Sequence, residues 1–159
     1  MIENTSIVQM IQLMLAPGIM ISACGLLLLG MNNKYSLVVN RIRLLNEERR
    51  KISKNINDKE FNYHENIRLE SLSMQISALD LRVRLVRNAV LSYTVAVAFF
   101  VLTSLSIGLQ YTSSIQNINQ LITFLFLAGM VLVLAGVIFA AYETIRGYEI
   151  VHLDVRIDE

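Results

Sequence analysis

Only one cysteine, Cys24, one proline, Pro17, and two histidines, His64 and His152, occur in 159 residues. A lone cysteine excludes an internal disulfide and a multi-cysteine metal site together. The histidines stand far apart without further ligands at metal spacing, so no zinc site is expected. A glycine-rich phosphate loop, a serine or cysteine nucleophile with a base at hand, and paired carboxylates inside an apolar run are all missing. These absences remove the usual enzyme templates, and neither a catalytic residue nor a cofactor is expected. Little proline beside 54% hydrophobic residues also excludes a disordered-type composition.

What the chain has in abundance is apolar length. Residues 7–31, 89–111 and 121–143 form three such stretches. About 20 residues at about 1.5 Å each cross a hydrocarbon core of about 30 Å, so each is long enough to span a bilayer. A mean hydropathy of +0.50 is too high for a soluble domain of this size. Twelve of the fourteen Lys and Arg residues lie between Lys34 and Arg87, in the interval separating the first two stretches. The positive-inside bias assigns that interval to the cytoplasm. Residues 112–120 are short, uncharged and rich in amides and hydroxyls, and read as a tight extracytoplasmic turn. The amino terminus is then expected outside, and the tail, residues 144–159 with Arg146 and Arg156, inside.

The expected fold class is all-α: a single integral membrane domain over 1–159, with three transmembrane helices and a long cytoplasmic antiparallel helical hairpin, residues 32–88, between spans 1 and 2. Nucleic acid is excluded as a partner, because the basic residues of the hairpin are interleaved with Glu47, Glu48, Asp58, Glu60, Glu65, Glu70 and Asp80. Ile21-Ser22-Ala23-Cys24 also fits a lipoprotein cleavage pattern. Against it stand Glu3 in place of a basic n-region, the apolar run continuing past Cys24, and the side to which cleavage would send the basic interval.

Small residues share one helical stripe of the first span, Gly18, Ser22 and Gly25, and one of the third, Gly129, Gly136 and Ala140. Such stripes let backbones approach where lipid offers no hydrophobic gain for association. Packing of the three helices within the chain is the expected use, and a subunit interface is the alternative. Pro17 frees one carbonyl of the preceding turn and marks a kink site in the first span. Along the second span, Ser92, Ala96, Phe99, Thr103, Ser106 and Gln110 fall on one face. With Gln12 of the first span, Ser92, Thr103, Ser106 and Gln110 are the candidate pore-lining residues. The competing reading is that the hydroxyls bond back to carbonyls of their own helix.

Between the first two spans the apolar residues turn to three- and four-residue steps: Tyr35, Val38, Ile42, Leu45, Ile52 and Ile56, then Leu69, Leu72, Ile76, Leu79, Val83, Val86 and Val90. Two helices are predicted, with residues 57–66 as the turn. Folding them back antiparallel sets Val38 beside Val83, Ile42 beside Leu79, Leu45 beside Ile76 and Ile52 beside Leu69. It also levels Arg41 with Asp80, a candidate salt bridge, and Asp80 has Arg84 four residues on. An isolated two-helix seam leaves apolar edge exposed, which intersubunit coiling or a partner helix would cover. Arg41, Arg43, Arg82, Arg84 and Arg87 gather near the base of the hairpin, suited to anionic headgroups. Glu143, at the end of the third span, is expected to anchor that span by pairing with Arg146 or a hairpin arginine; a cation-binding ring in an oligomer is the rival reading.

Ile11-Gln12-Leu13-Met14-Leu15-Ala16-Pro17 through Cys24, followed by Asn40-Arg41-Ile42-Arg43-Leu44-Leu45, resembles a family of small bacterial membrane proteins that share a domain of unknown function. The resemblance runs nearly the full chain. It implies three spans, a basic cytoplasmic loop and a bacterial inner-membrane location, and it carries no activity. The leading functional expectation is a homo-oligomer, surrounded by membrane lipids, whose hairpins bundle around an ion-conducting pore lined by the first or second span. The alternative is a non-conducting adaptor or scaffold whose hairpin binds a cytoplasmic protein partner.

Overall fold

The computed structural model describes residues 7–58, 63–112 and 118–157, and all of them are helical. Three helices follow in chain order: α1 (Ile7–Asp58), α2 (Tyr63–Thr112) and α3 (Ile118–Ile157). Each contains a segment long and apolar enough to cross a membrane. At 52, 50 and 40 residues, all three are about twice or more the length such a crossing needs.

The boundaries differ from the sequence expectation in two places. Asn57, Asp58 and Tyr63 to Asn66, assigned above to a turn, are helical, and only residues 59–62 of that turn lie outside the described residues. Asn and Asp cost a helix less than about 0.7 kcal/mol each, too little by themselves to end one. Likewise residues 144–157 do not form a separate tail, because α3 runs on through them. Pro17 does not break α1 either: it is fully buried and the helix continues on both sides of it. Of the uncharged connection, residues 113–117 lie outside the described residues.

The chain divides into two compact units, the first Met1–Met31 with Asn88–Ile138, the second Asn32–Arg87 with Phe139–Glu159. The first holds most of the apolar length. Its core gathers Cys24, Ala96 and Phe100, with Met20, Ile21, Val97, Phe126, Leu132 and Val133 packed against them. Here α3 meets α2 by letting rings into glycine notches. A Cβ on Gly129 would stand 2.8 Å from the Phe100 ring, and one on Gly136 would stand 2.6 Å from the Tyr93 ring. Both pairs are seven residues apart on antiparallel helices, so the notches and rings repeat in step. Phe126 adds a tilted contact to Phe100, with ring centroids 5.7 Å apart.

The second unit has its own core. Val38, Ile42, Leu45 and Ile52 of α1 cluster with Leu72, Ile76, Leu79 and Val83 of α2, which are the residues the heptad reading placed across the seam. Leu69 is partly buried outside that cluster, and Tyr35, assigned to the seam, is exposed. The third helix joins this unit through residues 139–147, an element absent from the two-helix expectation.

Candidate functional site

Glu143 is the one fully buried ionisable residue among the described residues of the second unit, with 1% of its surface exposed. Its Oε1 accepts from Arg82 Nη2 at 2.7 Å and Nε at 3.2 Å, and its Oε2 accepts from Lys34 Nζ at 3.0 Å. The Lys34 ammonium also donates to Thr144 Oγ1 at 3.1 Å, while that hydroxyl donates to the Ala140 carbonyl at 2.9 Å. Lys34 lies on α1, Arg82 on α2 and Glu143 on α3, so one carboxylate ties the three helices.

A neighbouring glycine makes room for this arrangement. A Cβ on Gly147 would stand 2.8 Å from Arg82 Nη2, so the glycine lets the guanidinium lie close against α3 at that height. Burying a lone carboxylate is costly; two cations and three donated hydrogen bonds offset that cost here. The cluster carries one negative and two positive charges. Both carboxylate oxygens accept N–H donors, so within the chain the arrangement serves as a tether.

The predicted partner for Glu143 is corrected in part. A hairpin arginine holds it, but that arginine is Arg82, joined by Lys34, which the sequence reading did not single out. Arg146 instead turns to Tyr142, donating to the hydroxyl at 3.1 Å with its guanidinium 5.5 Å from the ring centroid. One signal was available: Glu143 follows Gly129 and Gly136 at seven-residue steps and so shares their inward face. No comparable signal marked Lys34, whose surface is 44% exposed.

Among the other basic candidates, Arg41, Arg43 and Arg87 are exposed. Arg84 is held by Asp80 on its own helix, so the Arg41–Asp80 bridge expected across the seam is replaced by the local pair. A second cross-helix pair, Glu48 with Arg68 at 2.9 Å, links α1 and α2.

The pore-lining candidates are not brought together on an open face. Thr103 is 1% exposed and its hydroxyl donates to the Phe99 carbonyl at 2.8 Å. Gln110 is partly buried and donates to Asn119; Ser92 and Ser106 are partly buried; Gln12, on α1, is exposed. The packing candidates divide. Gly129 and Gly136 are the ring notches described above. Gly18, Ser22 and Gly25 are exposed, the two glycines have open space where a Cβ would stand, and Ser22 bonds back to the Gly18 carbonyl. The side of α1 buried in this unit is that of Pro17 and Cys24, so the first-span stripe does no packing within the chain. His64 and His152 fall where side chains lie outside the described residues. Among the described residues no group of three His, Cys, Asp or Glu is placed to hold a metal ion.

Residues 14–153 match the family described as protein of unknown function, DUF2721. The chain belongs to the DUF2721 family. The matched region takes in the first apolar stretch from residue 14 on, the other two apolar stretches, the helical segments between the first two and the whole Lys34–Arg82–Glu143 cluster. No curated protein and no solved structure matches the chain. The DUF2721 description carries no activity, so no residue role is transferred from it.

Proposed function

We propose that this DUF2721 protein is a non-conducting membrane scaffold, inserted in the bacterial inner membrane with its amino terminus outside and its second helical unit in the cytoplasm, where that unit binds a partner. The carrying observation is the fate of the polar residues in the spans. Thr103 is buried with its hydroxyl bonded to its own helix; Thr94 and Thr123 bond back in the same way to the carbonyls of Val90 and Asn119. Many of the outward positions are apolar, among them Leu13, Leu26, Leu102, Leu105, Leu127 and Leu134, and the outward Thr94 and Thr123 have their hydroxyls bonded back. Such a surface suits lipid and offers no continuous polar row for a hydrated ion.

Orientation is supported by the basic interval, since twelve of fourteen Lys and Arg residues lie between Lys34 and Arg87. The reading assigns no catalytic role. A channel lined by the first span is the second reading, favoured by the exposed face of Gly18, Ser22 and Gly25, which an oligomer would turn towards an axis. Purified protein reconstituted into liposomes loaded with a K⁺- or Cl⁻-sensitive dye decides between them. The scaffold gives no flux above empty liposomes; protein-dependent flux that Ser22→Leu abolishes overturns it.

A further inference from the structure

Helix α2 carries two seams, and the core of the second unit uses only one of them. Leu72, Leu79 and Val86 face inward. On another side of the same helix stand Ile67, Ser71, Met74, Ala78, Leu81 and Leu85, at alternating steps of four and three residues. Ile67, Met74 and Leu81 are exposed, Met74 by 62%, and Ser71, Ala78 and Leu85 are half-buried. A groove of about 640 Å³ runs along this seam, lined by Ser73, Met74, Ser77, Ala78, Leu81 and Arg146. A three-four repeat of apolar and small residues is the pattern by which one helix receives another, knobs into holes.

We propose that this seam is the contact between two copies of the chain, packed α2 against α2 in parallel about an axis along the membrane normal; the proposal rests on the scaffold reading and names its partner. Three observations select a second copy. Copies inserted in one membrane share orientation and depth, so a seven-residue repeat on α2 meets its own counterpart in register without any offset. The α2 residues of the seam include no charged one, and the arginine that lines the groove from α3, Arg146, is drawn to Tyr142 of its own helix. Two of the basic residues beside it are paired within the chain, Arg84 with Asp80 and Arg68 with Glu48. The exposed Leu37 and Leu44 of α1 fail the second criterion, because Arg41 lies on their face and would meet Arg41 of the second copy.

The test uses the full chain in native membranes, with Cys24→Ala as background and Met74→Cys as the only thiol. Oxidation by copper phenanthroline in air is expected to give a disulfide-linked dimer that Leu44→Cys in the same background does not give. Met74→Asp in the otherwise natural chain is expected to shift the detergent-solubilised protein to monomer mass with helical content unchanged, since the position is exposed. No dimer band from Met74→Cys, equal bands from both thiol variants, or a monomeric natural chain each overturns the seam. Those failures leave the liposome result untouched, while ion flux would sink the scaffold reading and leave the dimer standing.

Discussion

At the residue scale, Glu143 concentrates the chemistry of the second unit in one side chain. Glu143→Gln keeps its shape but leaves Lys34 and Arg82 facing one another without a counter-charge. A hydrogen bond to a charged group is worth about 1.5–3 kcal/mol, and partial exposure of both cations keeps the loss within that range. A lowered melting temperature in detergent is the expected outcome; an unchanged one would show that the tether bears no load. Replacing Arg82 and Glu143 together by Met and Leu should recover most of the loss, because an apolar pair of similar volume avoids the desolvation that the ions incur. The glycines supply a contrast that needs no charge. Gly136→Ala drives a methyl into the Tyr93 ring, where overpacking costs about 1–3 kcal/mol, whereas Gly25→Ala meets open space and should leave the melting temperature within error. The stripe of Gly129 and Gly136 and that of Gly18 and Gly25 look alike in sequence. What separates them is the ring on the facing helix, and a single chain's spacing does not reveal which helix that is.

At the scale of the helices, periodicity was informative wherever one face is buried. Heptad steps marked the inner faces of both hairpin helices, and the cluster of Val38, Ile42, Leu45, Leu72, Ile76 and Leu79 joins residues 27 to 41 positions apart. Leu72 is fully buried in that cluster, so Leu72→Ala should cost about 2–5 kcal/mol through lost transfer and a residual cavity. Urea titration of the detergent-solubilised chain measures it, and a cost below that of an exposed control such as Leu37→Ala would refute the packing. Periodicity failed where polar composition resembled a turn. Asn57 to Asp58 and Tyr63 to Asn66 are helical, because the local preferences of Asn and Asp against a helix are weak. It failed again after residue 143, where charge returns and a tail was expected. There the spacing offers no side chain to read, since it is at Gly147 that Arg82 lies close against α3.

For the whole molecule, the proposed orientation rests on numbers rather than on any one contact. Moving the interval between Lys34 and Arg87 across a bilayer would carry twelve basic residues against seven acidic ones, and the acidic residues do little to redirect it. Each basic residue near an anionic cytoplasmic leaflet is stabilised by about 1 kcal/mol, and the proposed orientation draws on several of them. Lys54 is exposed near the end of α1, far along the helix from the first apolar stretch. In a Cys24→Ala background, Lys54→Cys should resist a membrane-impermeant maleimide in intact cells and react fully once the inner membrane is opened. Labelling in intact cells after outer-membrane permeabilisation would invert the topology. The Lys34–Arg82–Glu143 tether and the ring notches would survive that result, because they depend on contacts inside each unit; the scaffold's access to a cytoplasmic partner would not.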